Sequence, residues 1–353
     1  MKDSVSPYKG LPMHRFWKTG VSEQTPTEMQ GLYKKKFAIS PKDRIATAGS
    51  CFAQHISREL MLHGFNVIDE EPVPPGLSVV DAHRFGYGLY SARYGNIYHV
   101  KQMLQLAMEA FGEWQPADYI WERQGRFFDA MRPSVEPEGL PSPEAVERHR
   151  KAHLHHVRNV LRNTDVLVFT SGQTEAWVHT ASGTVYPTAP GTLAGSYDEA
   201  THKFCNFDFG QIHSDFLQFR SLLKAHNPSV RVLLTVCPVP LTATAMPQHV
   251  LLATTYSKSV LRAVMGQLSD NFSDIDYFPS YELIGTPFSR GMFYSSNQRS
   301  VTQIGVQTVM RMFFSEHSNE QELRQKNSKV ASTLSSDEVV CEDIILQSFG
   351  EQQ

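Results

Sequence analysis

Short apolar runs alternate with amphipathic stretches along most of the chain. The runs at 44–48, 165–172 and 231–240 are almost continuously apolar. They lack the alternation of half-exposed strands, so they predict strands that are buried on both faces. GFNVID at 64–69 and a short run around 275–278 predict two more strands.

Apolar residues recur at helical spacing between these runs. The predicted helices cover 51–63, 101–112, 143–162, 211–226, 257–269 and 301–314. Buried strands separated by helices indicate an α/β fold, a three-layer α/β/α sandwich around a mostly parallel sheet. Ligands bind such sheets beyond the carboxyl ends of the strands, so the residues that follow each strand are the candidates for chemistry.

Composition divides the chain into three parts. We expect residues 1–40 to be an N-terminal segment that packs on the core, and 41–315 to form the α/β domain. A Pro-rich loop begins a substantial insertion at about 70–140. Residues 316–353 are polar, with few large apolar side chains, and predict a mobile C-terminal tail.

Charge and hydropathy exclude several classes of partner. The 353 residues carry a net charge of −3 and no dominant basic block, which argues against nucleic acid or a polybasic membrane patch. No apolar stretch approaches the ~18 residues of a membrane span. The N-terminus does not resemble a signal peptide. We therefore expect a soluble, cytoplasmic protein.

The cysteines and histidines predict no metal site. The four cysteines, at positions 51, 205, 237 and 341, lack the paired spacing of a zinc site and the density of a disulfide framework. The histidines at 153, 155 and 156 lie on a basic helical stretch, which favours a solvated face over a metal site.

The most specific candidate chemistry lies in RIATAGSCFAQHISREL (44–60). Gly49 ends the apolar run, and Ser50 stands where a helix would begin. The N–H groups of a helix N-terminus can bind an oxyanion while a hydroxyl attacks a carbonyl. Alternatively, Ser50 only caps the helix, because serine is among the best N-cap residues. Cys51 is a rival nucleophile, since a helix N-terminus lowers a thiol pKa, or else a small buried apolar residue.

The pentapeptide Gly49-Ser50-Cys51-Phe52-Ala53 resembles the signature of the GSCFA family, distant relatives of the SGNH (GDSL-type) hydrolases. Further blocks resemble that family in the expected order, and the resemblance covers about residues 10–315. These blocks are RFFDAMRPSVEPEG (126–139), FTSGQTEAWVHTASGTVYPTAPGT (169–192), TVCPVPLTATAMPQHVLLATTYSKSVLRAV (235–264) and DYFPSYELI (276–284).

The relationship to SGNH hydrolases implies a flavodoxin-like sandwich in which Ser50 is the nucleophile and its own backbone N–H is one oxyanion donor. The third SGNH block, a Gly-x-Asn turn, corresponds to Gly172 and the two residues after it. Thr174 stands in place of the Asn, with Glu175 beside it. A threonine hydroxyl can donate one hydrogen bond. The alternative is that Thr174 and Glu175 only cap the loop after the strand.

The chain departs from the SGNH pattern in the late Asp-x-x-His block, where Asn297 and Ser300 occupy the two places. Neither side chain is a general base near neutral pH, and a serine without a base is a poor nucleophile. His249, which follows the strand at 231–240 and a Pro-rich loop, is our candidate base. Its alternative role is a loop histidine bonded to a backbone carbonyl.

Five further residues are candidates for binding substrate. Asn96 is a hydrogen-bond donor candidate in a Gly-rich, aromatic loop. Tyr256 and Lys258 open the helix after the Pro-rich loop, and Lys258 either binds an anionic group or begins a solvated helix face. Arg132 and Arg299 either orient a carboxylate or phosphate, or form structural ion pairs.

The leading hypothesis is an SGNH-like serine esterase or O-acyltransferase, acting on an acylated small molecule or a sugar or polysaccharide intermediate. A serine mechanism requires no cofactor, and acyl-CoA is the candidate donor for a transferase. The competing hypothesis is a non-catalytic protein on a degenerate hydrolase fold that binds a glycan or a partner, and the missing dyad supports it. A third alternative is other transferase chemistry in which Ser50 only binds substrate. The sequence does not predict the oligomeric state.

Overall fold

The computed structural model describes residues 6–318 and Leu346. The strands are β1 (Ile45–Gly49), β2 (Ile120–Arg123), β3 (Arg126–Asp129), β4 (Val166–Ser171), β5 (Glu175–His179), β6 (Val185–Tyr186), β7 (His202–Asn206), β8 (Arg231–Val236) and β9 (Ile275–Tyr277). The α-helices are α1 (Phe52–Leu62), α2 (Val79–Arg84), α3 (Val100–Phe111), α4 (Pro143–Asn163), α5 (Phe209–His226), α6 (Val250–Asn271), α7 (Ser280–Gly285) and α8 (Gln303–His317).

In the described part of the chain, four strands form the central sheet, in the order β1-β4-β8-β9 and all parallel. The predicted strand at 64–69 is wrong, because only Val67 pairs there, through a parallel bridge to Ile45. Further along the same edge of β1, the Thr47 amide donates to the Ser91 hydroxyl (2.9 Å). The loop that carries Ser91 therefore occupies the edge where the predicted strand would have paired with β1. With this bridge counted as a strand remnant, the order is the flavodoxin-like 2-1-3-4-5.

Each face of the sheet is covered by helices, which confirms the predicted three-layer α/β/α sandwich. Ala48, Phe169 and Leu234 face the layer of α3, α4, α5 and α6. Val168 and Leu233 face the opposite layer of α1, α7 and α8. The apolar runs are continuous because both faces of each strand are buried.

Among the described residues, two small antiparallel sheets lie outside the central one, and the apolar pattern of the sequence did not predict them. β2 and β3 form a hairpin, and β5 lies between β6 and β7 in a three-stranded sheet. β5 begins only a few residues after β4 ends. The three-stranded sheet therefore follows directly from the carboxyl edge of the central sheet.

The N-terminal segment contacts the core through buried side chains. The Tyr33 hydroxyl donates to Asp276 Oδ2 (2.9 Å), and the Ile39 amide donates to His317 Nδ1 (3.1 Å). The predicted tail beyond 318, apart from Leu346, lies outside the described residues. In the part of the chain that the structure describes, no helix is both long and apolar enough to cross a membrane.

Two fully buried histidines predict how stability depends on pH. Burial lowers the pKa of His99 to about 3, and burial together with the charge of Arg132 lowers that of His153 to about 4. The unfolded chain titrates near ~6.5 and so binds more protons than the folded chain as pH falls from ~6.5 towards 4. We therefore expect the free energy of unfolding, measured by urea denaturation, to decrease by about 2 kcal/mol per buried histidine between pH 6.5 and 5.

A pair of variants on one helix isolates this effect. His153→Gln should reduce the loss of stability in acid, whereas His155→Gln, at an exposed position of α4, should leave it unchanged. Stability that stays level from pH 7 to 5 would show that these histidines are not held neutral.

Candidate functional site

The turn that carries Ser50 is fixed by the close approach of β1 to β4. Gly49 has φ +138°, and a Cβ at this position would lie 2.3 Å from the carbonyl oxygen of Thr170. That same carbonyl accepts the Ser50 amide (3.0 Å). No other residue fits at Gly49 without displacing one of the two strand ends, so the glycine sets the position of Ser50.

The Ser50 hydroxyl is not a helix cap. The N-cap position of α1 belongs to Cys51, and no side chain caps this helix. Ser50 is 1% exposed, and its Oγ makes no hydrogen bond of good geometry with any described residue. Buried hydroxyls usually have a partner, so an unpartnered one calls for a functional explanation.

Ser50 lines a small cavity of about 10 Å³ at the carboxyl edge of the sheet. This volume is about the room that one water molecule needs. The polar side chains that line it with Ser50 are Cys51, Tyr98, Gln173, Cys237 and Arg299. The site lies between the ends of β1 and β4, which is the switch point of a flavodoxin-like strand order.

Cys237 and Lys258 are buried beside Ser50, and Cys237 was not among the candidates predicted from the sequence. Each is 2% exposed. The Lys258 ammonium donates to the Gly172 carbonyl (2.5 Å), which places its charge at the edge of the cavity. Burial favours the neutral thiol, but hydrogen bonding with Cys51 and the charge of Lys258 outweigh it and lower the pKa of Cys237. The sequence feature that could have identified Cys237 is its position directly after the buried strand β8.

The predicted oxyanion donors are already engaged within the protein. The Ser50 amide donates to the end of β4, as described above. The Thr174 amide donates to Ser257 Oγ (3.0 Å), and the Thr174 hydroxyl donates to Asn206 Oδ1 (2.7 Å). The predicted roles of these Ser50 and Thr174 groups are therefore corrected: the Ser50 amide ties the turn after β1 to β4, and the Thr174 groups hold the loop after β4 against α6 and β7.

The structure does not bring His249 to Ser50. His249 is exposed, and its Nδ1 accepts the Leu251 amide (3.1 Å) as the N-cap of α6. It is not among the residues that line the cavity. In the late block, Asn297 Nδ2 donates to Ser300 Oγ (2.9 Å) in an exposed turn. The two residues in the places of the dyad are thus engaged with each other.

Two other predicted contacts also lie outside the cavity lining. Asn96 is buried, and its Oδ1 accepts hydrogen bonds from Gln54 (3.1 Å) and from the Tyr90 hydroxyl. These bonds brace α1 rather than present a donor to substrate. Tyr256 is 40% exposed on α6.

A larger cavity of about 210 Å³ adjoins the small one and shares Gln173 with it. Its aromatic lining consists of Trp177, Tyr186 and Phe204, and Leu346 also reaches it. Glu175 lies in this larger cavity, where it accepts a hydrogen bond from Thr244 (2.8 Å). Burial raises the pKa of Glu175.

No group of three or more His, Cys, Asp or Glu side chains among the described residues is arranged to hold a metal ion. The family model that matches the chain is that of the GSCFA family, over residues 44–313. This range contains the whole small cavity, including Cys237 and Arg299. No curated protein matches the chain.

Proposed function

The chain belongs to the GSCFA family, and we propose that it is a serine acyl-ester enzyme, an esterase or O-acyltransferase, with Ser50 as its nucleophile. One observation carries this proposal: the Ser50 hydroxyl is buried, lines a cavity at the switch point of the sheet, and lies beside the Cys237 thiol without a hydrogen bond of good geometry. A strand-turn-helix geometry of this kind holds a serine rigidly at the end of the sheet, which nucleophilic catalysis requires.

The reaction begins when Ser50 Oγ attacks the acyl carbonyl of the substrate. The carbonyl oxygen becomes an oxyanion, which the Arg299 guanidinium in the cavity and the N-terminal dipole of α1 stabilise. Expulsion of the alcohol leaves an acyl group on Ser50. Water then releases this group in an esterase, and the hydroxyl of a second substrate takes it in a transferase.

The larger cavity supports a sugar or a similarly sized acylated molecule as substrate. Its aromatic rings offer apolar faces for a pyranose ring, and Glu175 offers a carboxyl for hydrogen bonds to hydroxyl groups. Gln173 lines both cavities, so they lie next to each other, and we propose that a substrate bound beside Trp177 presents its ester towards Ser50 when the Gln173 side chain moves aside. We propose a carbohydrate intermediate in the cytoplasm, with acyl-CoA as donor if the enzyme is a transferase.

A second function, non-catalytic binding of a glycan or partner, is favoured by one observation. No histidine or carboxylate of the described chain lines the cavity at Ser50. A serine without any base would bind but not react.

A fluorophosphonate probe, read by intact mass, separates the two functions. We expect one adduct on the wild type and none on Ser50→Ala. Ser171→Ala is the matched control, because Ser171 is another buried serine with an unpartnered hydroxyl, at the end of β4. It should label like the wild type. A wild-type protein that takes up no probe would favour the binding protein.

A further inference from the structure

Among the described residues, four ionisable side chains line the cavity beside Ser50: Cys51, Tyr98, Cys237 and Arg299. An arginine keeps its proton at any accessible pH, and a phenol ordinarily does so near neutrality. Of the described residues that line the cavity, only the two cysteines are therefore able to accept a proton from the serine, and each does so as its thiolate.

We propose that Cys237, paired with Lys258, accepts the proton of Ser50 Oγ when the serine attacks its substrate. The inference rests on the proposed function, because it names the base of that reaction. Cys237 follows β8 directly, and its amide donates to the carbonyl of Ser171 (2.9 Å) at the end of β4. The thiol is thus held at the same edge of the sheet as Ser50.

Side chains from two helices surround the Cys237 sulfur. The Cys51 thiol at the start of α1 hydrogen-bonds with it, and the Lys258 ammonium of α6 acts on it as a positive charge. Burial alone would raise the pKa of Cys237. The hydrogen bond from Cys51 and the charge of Lys258, together with the neighbouring serine hydroxyl, instead hold this pKa well below its usual range.

Two other titratable groups lie at this end of β8. The Tyr294 hydroxyl donates to the Pro238 carbonyl (2.6 Å), and burial together with the negative charge of Cys237 raises the pKa of Tyr294. The Arg299 Nε donates to the Pro240 carbonyl (3.2 Å). The tyrosine stays neutral and the arginine is a cation, so neither competes with Cys237 as proton acceptor.

The proton and electron balance closes over one turnover. In the attack, the Oγ–H bond breaks, its proton passes to the Cys237 thiolate, a bond forms from Oγ to the acyl carbon, and the π pair of the carbonyl moves onto its oxygen. When the tetrahedral intermediate collapses, the carbonyl re-forms and the bond from the acyl carbon to the oxygen of the leaving alcohol breaks. The Cys237 thiol then returns its proton to that oxygen. Deacylation repeats the cycle with water or an acceptor hydroxyl, and Cys237 ends as a thiolate.

The test is the rate at which a fluorophosphonate labels Ser50, measured from pH 5 to 9 with the adduct mapped by peptide mass. Cys237→Ser and Cys237→Ala should slow labelling by about 10²–10⁴-fold, the usual contribution of a general base. Lys258→Met should move the midpoint of the pH–rate curve to higher pH, because the thiol loses its cation. Cys205→Ser, on β7 and outside the cavity, should label as the wild type does.

Circular dichroism confirms that each variant is folded before its rate is compared. Cys237→Ser that labels at the wild-type rate would overturn this inference and leave the proposed function standing. A wild-type protein that does not label would overturn both. His249→Asn, which keeps a side chain suited to the N-cap, should label normally, and a large loss there would assign the base to His249 instead.

Discussion

Gly49→Ala is expected to destabilise the protein by roughly 3–5 kcal/mol, because it combines overpacking with an unfavourable backbone conformation. The new Cβ would lie 2.3 Å from the carbonyl oxygen of Thr170 and 2.7 Å from its nitrogen. Both are backbone atoms of a central strand and cannot swing aside as a flexible side chain would. Urea denaturation of the variant measures the loss.

Gly112→Ala is the matched control for this substitution. Gly112 also has positive φ, at +79° after α3, but a Cβ there would have no heavy atom within 4 Å. We expect a cost of only about 1–2 kcal/mol, which reflects the backbone conformation alone. If the variants at Gly49 and Gly112 lost equal stability, the close approach of β1 to β4 would not be what fixes the turn at Ser50.

Arg150→Met is the second substitution with a large expected effect, about 3–5 kcal/mol of lost stability. Arg150 is 4% exposed on α4 and donates to Asp129 (2.8 Å) on β3 and to Glu109 (2.7 Å) on α3. Without the guanidinium, Glu109 and Asp129 lose a buried cation.

Arg132 also pairs with Asp129 (2.8 Å). Of the two roles that the sequence left open for Arg132, the structure therefore favours a structural ion pair over the binding of a ligand.

Arg44→Met removes an arginine of comparable geometry from the surface. Arg44 pairs with Asp165 at 2.9 Å, but its side chain is 49% exposed. Solvent screens such pairs, so the loss should not exceed about 1 kcal/mol. Equal effects of the two substitutions, measured by the same denaturation, would show that the network around Arg150 does not anchor α3, α4 and the hairpin to one another.

The parts of the fold that the sequence predicted are those with the simplest pattern. β1, β4 and β8 are buried on both faces, so their apolar runs are continuous and were read correctly. The run at 64–69 also contains apolar residues, but it does not form a strand. The Ser91 hydroxyl accepts the Thr47 amide and so covers the edge of β1 that this strand would have joined. Apolar pattern alone does not show whether an edge is occupied by a strand or by a loop.

The site was harder to predict than the fold, for a reason that Cys237 illustrates. In the sequence it continues an apolar strand, and a thiol there reads as a small core residue. Only the packing of α1 and α6 against the strand ends brings Cys51 and Lys258 to it. His249 shows the converse: chain order placed it after β8, but the long Pro-rich loop leaves it exposed at the start of α6.

The most direct test of the serine mechanism is to trap the acyl-enzyme. The protein is mixed with p-nitrophenyl acetate, quenched in acid within its first turnovers, and mapped by peptide mass. We predict one acetyl group on the peptide that contains Ser50, and none on this peptide in Ser50→Ala. Acetyl groups found only on lysines or cysteines, or on no residue at all, would contradict the assignment of Ser50 as the nucleophile.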